Sequence, residues 1–396
     1  MMSEFDFCVP CLFGLEGLCA DELKRLGMEA VSARNGQVLF SGAEPDIARS
    51  NMNLRTGERV LLVIGETDAS TFDRLFEGVR AMPWEQYIPN GGEFPVKGHS
   101  LSSKLTSIPD CQKIVKKAVA ERLKSKYNVE WLKETGAKYQ IQFAIMNDTA
   151  ALYIDTSGAG LHKRGYRPVG NAAPLRETLA AAIVKLSRYK GRESVCDPFC
   201  GSGTIAIEAA LAAINRAPGL SRKFEAQSWS WLNKEIWEAA AAEARDREFK
   251  GAYDIRGSDI DPKSIKTAEE NARRAGVAEH VRFEVADARH FSPFAKAGVS
   301  AGGGTDAAGG GTGAENETGY TGGIIMTNPP YGERVMQRSE AEELYREFGA
   351  TVGKLKNWKM YVLSSHTEFE RAFGKTAVKK RKLYNGMIKC DLFMYY

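Results

Sequence analysis

The chain has 396 residues, enough for two or three domains at about 100–200 residues each. With 43% hydrophobic and 26% charged residues it has the composition of an ordinary globular protein, and it holds no apolar run near the roughly 20 residues that span a bilayer. The net charge of +4 is mild, and the start Met-Met-Ser-Glu-Phe-Asp lacks the positive and apolar regions of a secretory signal, so a cytoplasmic location without membrane contact is expected.

The first 65 residues read as strand (5–9), helix with Leu15, Leu18, Leu23 and Leu26, two further strands of which the second is 37–40, then a short helix and a strand (60–64). Cys8-Val-Pro-Cys11 has metal or redox spacing. No second such pair exists among the seven cysteines, so we expect reduced thiols on a buried first strand and no metal. Residues 66–156 read as a second α+β module. It contains a helix near 72–82, a strand near 94–97 and an amphipathic helix over 110–127 with the stripe Ile114, Val115, Ala118, Val119 and Leu123. Two strands, 139–143 and 151–155, follow across a turn at Asn147-Asp148. Lys97 to Lys138 holds ten Lys/Arg against four Asp/Glu, and further basic clusters lie at 162–167 and 379–382. Together they favour a polyanionic partner.

From 157 strands and helices alternate, which predicts a mostly parallel sheet with helices on both faces. A helix is expected over 174–187, and Ala217-Pro-Gly-Leu220 breaks the chain before a segment with Trp229, Trp231 and Trp237. Strands follow at 253–258, 281–285 and 323–327. Residues 298–323 carry eleven glycines in 26 positions, the composition of a disordered insertion. A helix at 339–356, strand 359–364 and terminal strands at 383–384 and 388–396 complete the pattern.

The chemistry concentrates in Val195-Cys-Asp-Pro-Phe-Cys-Gly-Ser-Gly-Thr204, a strand end, a glycine turn and a helix start. Gly201 and Gly203 allow close backbone approach, and Thr204 can cap the helix. The loop lacks both the Gly-Lys-Ser/Thr of a phosphate loop and dinucleotide spacing, so a nucleoside ligand without pyrophosphate fits, with S-adenosylmethionine the leading candidate. Asp197, Asp259 and Asp287 fall at three successive strand ends, the edge at which open α/β sheets bind ligands. They can serve ribose hydroxyls, an adenine amino group and a cationic methionine moiety, although Asp at a strand end also caps turns. Asn328-Pro-Pro-Tyr331 ends the fourth strand. The Asn328 side-chain oxygen and the Pro329 carbonyl can accept both hydrogens of an exocyclic amine and draw its lone pair out of conjugation. Tyr331 offers a face for a base taken out of its stack.

At these motifs the C-terminal part resembles class I S-adenosylmethionine-dependent methyltransferases of the THUMP-containing group, and among them bacterial enzymes that methylate guanine N2 in 23S ribosomal RNA. The resemblance rests on 160–167 (GLHKRGYR), 173–178 (APLRET), 197–204, 216–219 (RAPG), 257–261 (GSDID) and 328–334 (NPPYGER). It implies a Rossmann-like, seven-stranded methyltransferase domain over 157–396. Ahead of it come a ferredoxin-like region over 1–65 and an RNA-binding THUMP domain over 66–156. It implies cofactor contacts at Pro174, Arg176, Glu177, Thr178, Asp197, Pro198, Phe199, Gly201, Gly203, Thr204, Asp259, Ile260, Asp287, Ala288 and Asn328, and catalytic roles for Asn328, Pro329, Pro330 and Tyr331. The expected reaction is methylation of a guanine exocyclic amine in RNA, 23S ribosomal RNA first and transfer RNA second. A non-catalytic RNA-binding assembly factor is the reading from another class.

Overall fold

The computed structural model describes residues 4–167, 175–293, 322–331 and 337–396. The chain divides into two compact units, 1–164 with 217–248, and 165–216 with 249–396.

The first unit opens with β1 (Phe5–Pro10), α1 (Glu16–Arg25), β2 (Glu29–Arg34), β3 (Gln37–Gly42), α2 (Glu44–Asn53) and β4 (Leu61–Asp68). It continues through α3 (Phe72–Ala81), β5 (Val96–Leu101), α4 (Ile108–Tyr127), β6 (Ile141–Met146) and β7 (Thr149–Asp155). All seven strands join one sheet in the order β2-β3-β1-β4-β7-β6-β5. The two sequence modules therefore share a ladder through β4 and β7. The α4 stripe is buried at Val115, Ala118, Val119 and Leu123 with Cys111, whereas Ile114 is only partly buried. Asn147 and Asp148 both take positive φ, 50° and 60°, as a two-residue turn between twisted strands requires. The strand expected at 94–97 instead runs over β5, because its parallel partner β6 extends to Met146. All seven cysteines are reduced and buried, and the Cys8 thiol donates to Gln37 Oε1 at 3.1 Å.

The second unit begins with α5 (Glu177–Leu186), β8 (Ser194–Asp197) and α6 (Thr204–Ala213). The helix expected from 174 starts only at Glu177, with Arg176 extended at its N-cap, and Pro174 lies outside the described residues. The chain then returns to the first unit with 217–248, including α7 (Glu235–Asp246). This departs from a continuous domain over 157–396, and aromatic packing is the reason. Trp229 is fully buried, stacks on Tyr139 at 5.0 Å between centroids, and donates from its indole nitrogen to the Lys138 carbonyl at 2.9 Å. Phe224 stacks on Trp237 at 5.2 Å, and Arg49 on α2 bonds Glu243 on α7 at 3.0 Å.

Back in the second unit follow β9 (Ile255–Asp259), α8 (Pro262–Ala275), β10 (Arg282–Val285), β11 (Gly323–Thr327), α9 (Arg338–Val352), β12 (Trp358–Ser364), α10 (Phe369–Phe373), β13 (Lys379–Asn385) and β14 (Ile388–Tyr395). The strand order is β10-β9-β8-β11-β12-β14-β13, with the first five strands parallel and β14 antiparallel to both neighbours. This is the mostly parallel sheet the alternation predicted, with the seven strands the resemblance implied. β13 is longer than the two residues expected, because its whole length pairs with β14. Of the glycine-rich stretch, 298–321 lies outside the described residues and Gly323 opens β11. Among the described residues no helix is long and apolar enough to cross a membrane.

Candidate active site

In the second unit β8 has β9 on one side and β11 on the other, both parallel to it, so the order of strands reverses between β8 and β11. Ligands of open α/β sheets bind at the carboxyl ends beside such a reversal. Asp197 ends β8 there and Thr327 ends β11, and the Thr327 hydroxyl donates to Asp197 Oδ1 at 2.6 Å. Thr327 is fully buried and was not among the predicted site residues. Its signal was faint: one hydroxyl at the end of Ile324-Ile-Met-Thr327, directly before Asn328.

Asp197 is 2% exposed. Loss of water pushes its carboxyl up to about 7. The hydrogen bonds from Thr327 and the Phe199 amide pull it down, and nearby Asp259 pushes it up again. Asp259 ties the end of β9 to the glycine turn. Its Oδ2 accepts the Gly201 amide at 2.9 Å and its Oδ1 accepts the Asp261 amide at 3.0 Å. Asp287 is engaged locally. It accepts the Arg289 amide at 2.9 Å and pairs with the Arg289 guanidinium, which holds its carboxyl below the usual range. Ile260 is 63% exposed in the β9–α8 turn, whereas Ala288 and Pro198 are buried.

The two turn glycines have different reasons. Gly201 has φ 51°, and a Cβ built there would meet nothing within 4 Å, so its outer side is open to a ligand. Gly203 has φ 82°, and a Cβ there would stand 2.9 Å from Phe283 and 3.0 Å from Ala268, so its absence serves packing. Gly203 rather than Thr204 occupies the helix cap, and Thr204 is the first residue of α6 with no capping bond from the cap position. The left-handed backbone at the cap is one that glycine adopts without strain. Asn271 on α8 is 1% exposed and holds the turn from behind, donating to the Ser202 carbonyl at 3.0 Å. Phe199 packs edge-on against Phe348 at 5.1 Å.

At the start of α5, the buried Glu177 accepts Arg167 Nε at 2.8 Å and pairs with the same guanidinium at 2.5 Å. Arg167 also reaches the Leu175 carbonyl at 3.3 Å, and Thr178 is fully buried. Arg167 is thus tied to the first turn of α5.

Asn328 and Tyr331 are half-buried and Pro329 is buried. The Tyr331 hydroxyl donates to Asn328 Oδ1, and the Tyr345 hydroxyl donates to the Pro330 carbonyl. The Cys390 thiol lies 3.7 Å from the Tyr331 hydroxyl. Burial raises that hydroxyl far above its ordinary range, so it remains a donor at neutral pH. Tyr345 and Cys390 were missed because they stand on α9 and β14, remote in sequence from the tetrapeptide.

A parallel sheet with an antiparallel hairpin at its edge, acids at successive strand ends and an Asn-Pro-Pro-Tyr tetrapeptide beside the reversal define an α/β methyltransferase fold, preceded by ferredoxin-like and THUMP regions. The chain belongs to the UPF0020 family, described as an RMKL-like methyltransferase domain, which matches residues 164–301 and 315–393. The RlmL ferredoxin-like domain matches 6–61 and the THUMP domain 69–155. The protein named Putative RNA methyltransferase YpsC, from Bacillus subtilis, is 40% identical over 100% of this chain and 97% of its own length. Ribosomal RNA large subunit methyltransferase K/L of Syntrophotalea carbinolica is 33% identical over 96% of this chain, which spans 52% of that longer protein. The crystal structure of SMU.472 complexed with SAH superposes with a TM-score of 0.87 at 36% identity, covering 100% of this chain and 99% of that one.

Proposed function

We propose that this protein transfers a methyl group from S-adenosylmethionine to the exocyclic N2 amine of a guanine in RNA, in the cytoplasm, with 23S ribosomal RNA as the favoured substrate. The observation that carries the reading is the bond from Thr327 to Asp197. It ties the strand that ends in Asn328-Pro-Pro-Tyr331 to the strand that opens the glycine turn. The SAH held by SMU.472 and the names of YpsC and the K/L enzyme support cofactor and substrate class.

The residues present fit the cofactor. Gly201 leaves open space where any side chain would intrude, and Asp197 is a buried carboxyl whose ionised form gains from a cation nearby. In our assignment Asp197, the turn 198–204 and Asp259 with Ile260 hold it, with Asp287, Ala288 and the segment 174–178 alongside. When bound, S-adenosylmethionine supplies an electrophilic methyl group on a sulfonium. The protein's part is to present the nitrogen. The Asn328 oxygen has two acceptor sites, one of which meets the Tyr331 hydroxyl, and the other accepts an amino hydrogen of the base. The Pro329 carbonyl accepts the second amino hydrogen, while Tyr345 grips Pro330 and keeps the backbone in place. With both hydrogens held, the nitrogen lone pair leaves conjugation with the ring. Tyr331 gives the extruded base a surface on which to stack.

The test is transfer from radiolabelled S-adenosylmethionine to RNA from cells lacking this protein, fractionated by size and digested to nucleosides. We expect label in 23S RNA as N2-methylguanosine. Label in the transfer RNA fraction would keep the chemistry and change the substrate. Cofactor binding without transfer to any RNA would overturn the reading, and absence of cofactor binding would favour an assembly factor.

A further inference from the structure

The basic cluster at 379–382 finds no use in the chemistry described so far, and the structure puts it on the edge hairpin of the catalytic unit. Ser364, the last residue of β12, pairs with Asp391 of β14. From there the hairpin runs on to its turn at Gly386-Met387, roughly 13 Å further at about 3.3 Å per residue. It therefore overhangs the strand-end edge that carries Asp197, Asp259 and Asn328. The turn has two residues, with Gly386 at φ 66° in its first position, a geometry that fixes the tip firmly. Met387, at the second position, is 98% exposed.

The two faces of the hairpin differ. Leu383 and Cys390 pair on one face, both are buried, and Cys390 stands beside the Tyr331 hydroxyl with Asn385 close by. On the other face lie Lys382 opposite Asp391 and Tyr384 opposite Lys389. Lys380, on the same side, is taken by Glu370 at 2.7 Å. Among the described residues Lys382 and Lys389 are exposed and form no ion pair.

We propose that the β13–β14 hairpin is an arm that guides the RNA strand over the active site, with Lys382 and Lys389 on phosphates flanking the target nucleotide and Met387 filling the stack that nucleotide leaves. The inference rests on the RNA-methylating reading above and adds to it where the strand runs. Charge complementarity names the occupant, since two uncommitted cations suit a polyanion. The contact of the hairpin's inner face with the catalytic tetrapeptide makes the surface continuous with the site. An extruded base leaves a gap that an apolar side chain on a rigid support can occupy.

The test compares wild type with K382Q/K389Q and with M387A, using 23S RNA from cells lacking the protein. The double variant should bind this RNA more weakly in filter binding. Its loss of affinity between about 50 and about 200 mM salt should be about sevenfold smaller than that of wild type, the value for two phosphate contacts on a single strand. Its melting temperature and S-adenosylmethionine affinity should match wild type. M387A should keep RNA affinity and lower kcat about tenfold, because unstacking the target then lacks its counterpart. An unchanged affinity and salt slope in the double variant would overturn the arm, as would a fall in its melting temperature or cofactor affinity. An unchanged kcat in M387A would remove the wedge. A wild-type protein that methylates no RNA overturns the functional reading itself, a result distinct from an active wild type with indifferent variants.

Discussion

Asp197 is a carboxyl that the fold keeps from water while giving it two hydrogen bonds and no cation among the described residues. Its pKa is about 7 in the fold and about 3.9 in an unfolded chain. Between those values the folded protein holds a proton that the unfolded chain has released. The stability this confers is full below about pH 4 and is lost as pH rises through 7. Asp197→Asn removes the dependence. Its melting temperature should stay near wild type at about pH 4 and exceed it at about pH 8, while its affinity for S-adenosylmethionine falls; equal melting curves at both pH values would refute the sign. Asn328→Ala should leave cofactor affinity nearly unchanged and lower turnover on the order of 100–1,000-fold, as loss of one aligned polar group does at other reacting centres. Isothermal titration beside steady-state kinetics separates the two quantities, and a large fall in cofactor affinity would sink the assigned role.

At the scale of elements, packing demands a glycine at only one of the two glycine positions in the turn. Gly203→Ala introduces a Cβ against Phe283 and Ala268. It should destabilise by about 1–3 kcal/mol from overpacking beyond the roughly 1–2 kcal/mol of a left-handed alanine. Gly201→Ala meets no neighbour. It should carry the backbone cost alone, yet weaken cofactor binding more than its stability loss suggests. Denaturant unfolding paired with titration of S-adenosylmethionine checks both. A Gly201→Ala protein with wild-type affinity would show that this side of the turn faces no ligand. The Asx bonds of Asp259, Asp261 and Asp287 show acids at strand ends serving the turns they stand in, whatever else they contact. The same carboxylates shape the rim before any ligand arrives.

At the scale of the whole molecule, the chain crosses between its compact units three times, because 217–248 belongs with the first. That excursion is held by aromatic burial, so Trp229→Ala should destabilise the first unit by about 3–5 kcal/mol. The thermal shift produced by S-adenosylmethionine should survive, since its proposed contacts all lie in the second unit. Calorimetry with and without the cofactor checks this, and loss of the shift would show that the excursion supports the catalytic unit.

What was legible in the sequence was what short-range pattern encodes. The strand–helix alternation, the glycine turn, the acids at strand ends and the Asn-Pro-Pro-Tyr tetrapeptide are local, and local propensity and periodicity suffice to read them. The element boundaries drifted where pairing overrode propensity, as at β5 and β13, whose lengths their partners set. Nothing in the order of residues announced that Trp229 would leave its neighbours for Tyr139. Nor did it announce that Thr327 would meet Asp197, or that Tyr345 and Cys390 would stand behind the tetrapeptide. Those contacts join residues tens to more than a hundred positions apart. Only the closing of the two sheets decides them, because burial rewards shape and hydrogen-bond complementarity between surfaces that do not exist until the chain has folded.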